Sequence, residues 1–257
     1  MTQMGFFTDT TLCIGCKACE VACKQWNQLP ADGFNWSGNS YDNTLRLSST
    51  TWRHVAFVEH SRPDDGSGKP VNWLMFSDVC KHCTNAGCME ACPTGAIIRN
   101  EFGDVYVQPD ICNGCGYCVP SCPFGVIEKN DDIGTASKCT LCYDRQKMGE
   151  EPACAKACPT NSIQFGNLDE LRTRARQRVG TLHERGETAA YLYGVDEDTS
   201  VGDLHAFSLL MDRPSVYNLP EKPKLPQDHI VPAFVASLIA ASFLTLTTAL
   251  SLRGRKL

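Results

Sequence analysis

The feature that most limits what this chain can fold into is the placement of its sixteen cysteines, which fall into four tight groups with none left over. The groups are Cys13-Cys16-Cys19-Cys23, Cys80-Cys83-Cys88-Cys92, Cys112-Cys115-Cys118-Cys122 and Cys139-Cys142-Cys154-Cys158. The first and third follow C-x2-C-x2-C-x3-C, the second widens the middle gap to four residues, and the fourth widens it to eleven. Three groups end in Cys-Pro, at Cys92-Pro93, Cys122-Pro123 and Cys158-Pro159; in the first, Lys24 takes the place of the proline. Thiolates this closely spaced must wrap a loop around something wider than one ion, whereas structural zinc usually takes two knuckle pairs to one tetrahedral centre. Cysteine makes up about 6% of the 257 residues. That is below the ~8–10% of short disulfide scaffolds, and a chain of this length can build its own core.

The spacing is that of the thiolate runs of bacterial [4Fe–4S] ferredoxins, in which three cysteines hold three irons of a cubane and the fourth reaches the neighbouring cluster. Four runs therefore predict four [4Fe–4S] clusters and commit every thiolate. A cubane with four thiolates carries roughly two negative charges when oxidised, so its loop must turn backbone N–H groups inward. Gly15, Gly87, Gly114 and Gly116 sit where that curl is needed. The proline after the last cysteine removes a donor and ends the local turn. His82, between Cys80 and Cys83, is read as a neighbour of a cluster or a surface residue, not as a ligand, because a full cysteine set is present.

The composition, 42% apolar and 21% charged, is that of an ordinary globular protein, and a net charge of −5 gives no nucleic-acid signal. The predicted class is α+β: two bacterial-ferredoxin-like cluster modules with insertions, plus one C-terminal transmembrane helix. Residues 1–166 are assigned to the ferredoxin-like domain with an inserted small sheet at 24–79, residues 167–229 to a helix and linker, 230–252 to the span and 253–257 to a basic tail. Each ferredoxin half is expected to run from a short strand through a cluster loop to a turn of helix after the fourth cysteine and a return strand. Ala96 to Arg99 and Asp104 to Val107 read as a hairpin across Glu101-Phe102-Gly103, with Val126-Ile127 and Ser162 to Phe165 as the other return strands. In the insertion, Thr44 to Leu47, Trp52 to Glu59 and Val71 to Phe76 alternate as strands, broken by a turn from Pro63 to Pro70.

From Leu168 to Arg185 the apolar residues Leu168, Leu171, Ala175, Val179 and Leu182 recur at helical spacing, with Asn167 as cap and Gly186 as stop. The opposite face holds Arg172, Arg174, Arg176 and Arg178 and reads as a solvated face. Trp26, Trp36, Trp52 and Trp73 read as core residues, not cofactor contacts. The tail is different: Ile230 to Leu252 is 23 residues without a charge, long enough to cross a bilayer at ~1.5 Å per residue. Ala233, Ser237, Ala241, Thr245 and Ala249 fall every four residues on one small-residue face, of the kind that admits another transmembrane helix. Pro232 suits the first turn, and Arg253, Arg255 and Lys256 follow the span at once.

With these pieces in place, the chain closely resembles the iron–sulfur (beta) subunit of membrane-bound formate dehydrogenases, within the four-cluster ferredoxin-like electron-transfer subunits of the molybdopterin oxidoreductases. The likeness rests on Cys13-Ile14-Gly15-Cys16-Lys17-Ala18-Cys19, Cys112 to Pro123, Lys138-Cys139-Thr140-Leu141-Cys142, Glu151-Pro152-Ala153-Cys154, the arginine-rich helix and the final span. The cluster motifs are shared with electron-transfer subunits of dimethyl sulfoxide, polysulfide and nitrite reductases and of some hydrogenases; the tail narrows the match. The resemblance implies nested pairing, with Cys13, Cys16, Cys19 and Cys158 on one cluster and Cys139, Cys142, Cys154 and Cys23 on its partner. It likewise implies Cys80, Cys83, Cys88 and Cys122 on a third, with Cys112, Cys115, Cys118 and Cys92 on the last. Spacing alone shows only that fourth cysteines swap, and sequential pairing of the first run with the second stays open.

No residue here needs to perform acid–base or nucleophilic chemistry, so the chain reads as an electron carrier and not as a catalyst. The resemblance implies electrons arriving from a molybdopterin-containing, formate-oxidising subunit and leaving toward an integral membrane cytochrome or quinone-reactive subunit. A reductase subunit running the other way and a zinc-binding module without a redox role are the rival readings. Identical ligands do not fix the direction of flow, which depends on hydrogen bonds to sulfur, burial and charge. Met1 to Thr11 holds neither a twin-arginine pair nor an apolar signal stretch, which by itself points to the cytoplasm. Relatives of this kind cross already folded on the signal of the catalytic subunit, so the resemblance places the cluster domain outside the cytoplasmic membrane.

Overall fold

The computed structural model describes residues 2–34, 36–38, 41–61, 71–196 and 198–254. The expected turn from Pro63 to Pro70 and the end of the basic tail, 255–257, lie outside them. The chain opens with strand β1 (Met4–Asp9), runs through the first cysteines into helix α1 (Ala18–Asn27), and reaches the hairpin β2 (Arg53–Ser61) and β3 (Val71–Val79). After the short helix α2 (Gly87–Glu90) come two more hairpins, β4 (Ile97–Arg99) with β5 (Val105–Val107) and β6 (Glu128–Lys129) with β7 (Ala136–Ser137). Helices α3 (Tyr143–Lys147) and α4 (Ala153–Lys156) lead to β8 (Ile163–Asn167), helix α5 (Leu168–Glu184), β9 (Tyr191–Tyr193), β10 (Ala206–Leu210) and the terminal helix α6 (Ile230–Gly254).

One sheet organises the molecule, in the order β8-β1-β10-β9. β1 runs antiparallel to β8 and parallel to β10. A strand covered on both faces shows no polar alternation, and β1 is of this type: Phe6 and Phe7 are both fully buried, on opposite sides. Phe7 enters an apolar core with Phe207, Tyr193 and the inward side of α5, namely Leu168, Leu171, Ala175 and Leu182. Phe6 enters a second core shared with Val55, Ile163, Leu141 and four cysteines. A third core, with Ile97, Val105, Ile127 and Ala136, holds Cys88 and Cys118. The segment 167–229 thus supplies α5 and two strands to the central sheet.

α5 forms because its cap and its stripe agree. The Asn167 side chain accepts from the Asp169 and Glu170 amides at 2.9 and 3.2 Å, and Gly186 follows the end with φ 90°. Its arginine face is solvated at Arg174 and Arg176 and half-buried at Arg172 and Arg178, and every arginine on it has a partner. Arg172 pairs with Asp203 at 3.0 Å, Arg176 with Asp196 at 2.6 Å and Arg178 with the buried Asp9 at 2.9 Å, while Arg174 donates to Gln164 at 2.9 Å. Sequence periodicity alone does not reveal acids brought in from distant turns.

Three other expectations need correction. Thr44–Leu47 is not a strand: Asp42 Oδ1 accepts the Thr44 amide, Leu45 takes φ 68°, and the Arg46 amide returns to the Thr44 carbonyl. Val126 and Ile127 are buried but unpaired, and the ladder begins at Glu128 because the chain is still leaving a turn, in which Gly125 takes φ 61° and its amide returns to the Cys122 carbonyl at 3.2 Å. Trp26, Trp36 and Trp73 are exposed; Trp26 donates to Asp144 at 2.8 Å beneath Arg145, and Trp73 packs on Tyr41. The inserted sheet itself forms, with β2 and β3 in register from Arg53 opposite Val79 to Ser61 opposite Val71. α6 is long and apolar enough to cross a membrane, and none of its apolar stretch is buried. Ala233, Ser237, Ala241, Thr245 and Ala249 are all exposed on it.

Candidate metal centres

One loop conformation recurs in all four cysteine runs. The residue two places after the first cysteine is left-handed each time: Gly15 at φ 68°, His82 at 45°, Gly114 at 70° and Leu141 at 55°. That curl turns successive N–H groups to one side, as an anion nest requires. At Gly114 a side chain is excluded twice over, since a Cβ would also stand 2.0 Å from the Gly134 carbonyl oxygen. His82 and Leu141 hold the same conformation as fully buried side chains, against their preference. Gly87 serves another purpose: it opens α2, where a Cβ would lie 2.5 Å from the Ser121 carbonyl oxygen.

In the second and fourth runs the helical turn comes before the fourth cysteine, in the first it carries that cysteine and continues past it to Asn27, and the third run has no helix. α1 carries both Cys19 and Cys23, α2 begins one residue before Cys88, and α4 begins one residue before Cys154. In the first, second and fourth runs the three-residue gap is therefore a turn of helix. Beyond it, the chain after Cys-Pro folds its amides back on the sulfur. Burial works against the thiolate at Cys92 and Cys158, but Thr94 with the Ile97 and Ala96 amides, and the Ile163, Thr160 and Ser162 amides with the Thr160 hydroxyl, outweigh it and lower both pKa values. Elsewhere burial dominates: it pushes Cys19 up to about 11 and Cys88 and Cys142 up to about 12. Such thiols stay protonated at neutral pH until metal displaces the proton.

The runs do not close on themselves. One cavity is lined by Cys13, Cys16 and Cys19 together with Cys158. Another is lined by Cys80, Cys83 and Cys88 together with Cys122, with His82, Val105 and Lys138 in its wall. The thiols whose charge acts on Cys118 are those of Cys112, Cys115 and Cys92; those acting on Cys23 are Cys154, Cys142 and Cys19. The four sets also adjoin in file, since Cys19 feels Cys154, Cys139 feels Cys80, and Cys88 feels Cys118. All sixteen thiols are free. Among the described residues no three His, Cys, Asp or Glu side chains gather as a single metal ion would need. The donor set fits [4Fe–4S] clusters: soft thiols in cavities, inward amides, and buried polar atoms that no protein group satisfies.

His82 is not exposed. Its Nδ1 accepts the Val105 amide at 3.1 Å, which leaves the proton on Nε2, and Nε2 has no protein partner. Two charged residues were given no role of their own in the sequence. Arg53 is 1% exposed and donates through Nη1 to Ser77 Oγ at 3.0 Å; Ser77 Oγ in turn lies 3.3 Å from Cys19 Sγ. Lys138, immediately before Cys139, is 2% exposed and donates to Cys80 Sγ at 3.4 Å. The available signal at Arg53 was its place on the same inward parity as Val55 in a strand.

Known proteins resemble this chain in sequence. Two family models, each described as a 4Fe-4S dicluster domain, match residues 12–96 and 71–168. The formate dehydrogenase iron–sulfur subunit of Haemophilus influenzae is 42% identical over 221 residues, 84% of this chain and 68% of that protein. The formate dehydrogenase-O iron–sulfur subunit of Escherichia coli is 42% identical over 84% of this chain and 71% of its own length. A subunit of the anaerobic dimethyl sulfoxide reductase of Escherichia coli is 36% identical over 173 residues, 67% of this chain and 78% of that one. Cysteine runs, anion nests and likeness over most of the length agree: the chain therefore belongs to the family of formate dehydrogenase iron–sulfur subunits, which carry electrons and do not themselves catalyse.

Proposed function

We propose that this chain holds four [4Fe–4S] clusters and conducts electrons from a molybdenum- or tungsten-containing, formate-oxidising subunit to a membrane cytochrome or quinone-reactive subunit. The single observation that carries the reading is the file of thiol sets, each within electrostatic reach of the next. In this reading Cys13, Cys16, Cys19 and Cys158 hold the first cluster, and Cys139, Cys142, Cys154 and Cys23 the one beside it. Cys80, Cys83, Cys88 and Cys122 hold the next, and Cys112, Cys115, Cys118 and Cys92 the last. When bound, such clusters supply reversible one-electron chemistry. The protein's part is to fix their order, exclude water with the apolar residues between the sets, and set the charge around them.

The ferredoxin-like part spans 1–166 with its insertion at 24–79, followed by the extension 167–229 and a single membrane pass at 230–252. The pass lies in the cytoplasmic membrane with the cluster domain on its outer side, and its face of Ala233, Ser237, Ala241, Thr245 and Ala249 meets the membrane partner. The likeness to the dimethyl sulfoxide reductase subunit supports a second reading, an electron-transfer subunit feeding a terminal reductase.

The test is stoichiometry joined to one substitution. Anaerobically purified protein is expected to hold about sixteen iron atoms and as many acid-labile sulfides. Cys158→Ala is expected to remove the centre held by Cys13, Cys16 and Cys19 while sparing the one built on Cys139. Zinc without sulfide sinks the reading outright. Spectroscopic loss confined to the Cys139 centre sinks the exchange of fourth cysteines, and failure of formate to bleach the visible absorbance of the co-purified complex moves the assignment to the reductase reading.

A further inference from the structure

Two buried cations stand where one thiol set meets the next. The Lys138 ammonium donates to Cys80 Sγ at 3.4 Å, to the Cys139 carbonyl at 3.1 Å and to the Val105 carbonyl. Three acceptors use the three N–H bonds of a charged amine, and two of them belong to cysteines of different sets. The Arg53 guanidinium lies 4.9 Å over the Phe6 ring and reaches Cys19 through Ser77, while its Nε and Nη2 have no protein partner. Burial works to lower its pKa, but the charges of Cys154, Cys19, Cys139 and Cys23, from two sets, outweigh it. Among the described residues no carboxylate pairs with either cation.

A buried cation without a counter-charge is strongly unfavourable, so both positions demand negative charge supplied by what the thiols hold. We propose that Arg53 and Lys138 are positioning residues for electron transfer: fixed charges at two successive junctions, each stabilising an added electron on both clusters it separates. Arg53 serves the Cys13 and Cys139 sets, and Lys138 serves the Cys139 and Cys80 sets. An electron arriving from the donor adds one negative charge to a set and leaves toward the acceptor, so no bond forms or breaks. Placing each cation between two sets raises both potentials together and leaves the step between them little changed. The inference rests on the four-cluster reading given above.

The experiment is an anaerobic redox titration, followed by electron paramagnetic resonance, of the full chain in its complex. Lys138→Gln and Arg53→Gln are compared with the charge-keeping Lys138→Arg and Arg53→Lys. In Lys138→Gln, the centres on the Cys80 and Cys139 sets are expected to show at least a tenfold lower ratio of reduced to oxidised centre at a given potential, equivalent to 59 mV for a one-electron couple. The outer two centres should move less. In Arg53→Gln the affected pair becomes the Cys13 and Cys139 centres, and both charge-keeping variants should return to near the unmodified values. Unmoved potentials in glutamine variants with full iron content overturn the proposal, as do equal shifts in the charge-keeping variants. If a glutamine variant loses iron, its charge-keeping counterpart must retain it; loss in both assigns the site to shape and overturns the role of charge. The underlying reading fails separately: fewer than four reducible centres in the unmodified protein defeats it before any variant is compared.

Discussion

The two sides of β1 are cores built on different terms. On the Phe7 side, α5 and β10 close an apolar interior, and Tyr193 sends its hydroxyl out to the Pro220 carbonyl at 2.8 Å. On the Phe6 side and in the third core beyond it, thiols interrupt the packing, and buried polar atoms without protein partners include Arg53 Nε and Nη2, His82 Nε2, Asp104 Oδ1 and Gln146 Oε1. Burial without a partner is unfavourable; Arg172 Nε, Thr199 Oγ1 and His205 Nδ1 near α5 and β10 also lack a protein partner, but the first side keeps a continuous apolar core to hold itself together, whereas the second is broken by thiols. The thiol-bearing side is a mould whose stability is completed by what it contains.

Iron removal is the largest test of that contrast. Chelation under reducing conditions is expected to abolish amide protection across 80–142 while protection in α5 and β10 survives, read by hydrogen exchange. Uniform loss, or uniform retention, would erase the distinction. Leu171→Ala attacks the other side: Leu171 is 1% exposed in the apolar core, and truncation is expected to cost about 2–5 kcal/mol, read as a lower denaturation midpoint with iron content unchanged in the folded protein. An accompanying loss of iron at native conditions would mean that the cores are one cooperative unit.

The smallest effect concerns Asp104, whose Oδ2 accepts from Gln146 at 2.7 Å and Asn100 at 3.1 Å, and whose pKa burial raises from 3.8 to about 6. The folded protein holds this proton more tightly than the unfolded chain. Its contribution is therefore fully present below about pH 4 and is lost as pH rises through 6. Asp104→Asn removes that loss, so the variant is expected to gain on the order of 2 kcal/mol over the unmodified protein above pH 7, with the gain vanishing toward pH 4. A gain that is the same at both pH values would show that charge at Asp104 is not what strains this side.

Spacing made the thiols legible because three ligands within seven residues, as in the first and third runs, leave few chemistries open. α5 was legible because cap, stripe and stop all fall in one stretch of sequence. β10 was not: Ala206 to Leu210 is buried at every position, so it shows none of the alternation by which a half-covered strand declares itself. Arg53 and Lys138 were given no role for the opposite reason, since a cation in a sequence points to the surface and only the folded chain reveals negative neighbours. Val126 was lost to the strand pattern because it follows directly on the left-handed turn at Gly125, which an apolar pair in sequence does not reveal.

The pairing of β1 with β8 and β10 also sets a timetable. As a ribosome extends this chain, residues 80–122 emerge as one stretch and bring Cys80, Cys83, Cys88 and Cys122 to a shared cavity with little loop to close. Cys13, Cys16 and Cys19 must wait for Cys158, and β1 must wait further for residues 206–210. The first cysteines made are therefore among the last to be enclosed, and through most of synthesis they are the thiols open to oxygen and to stray metals.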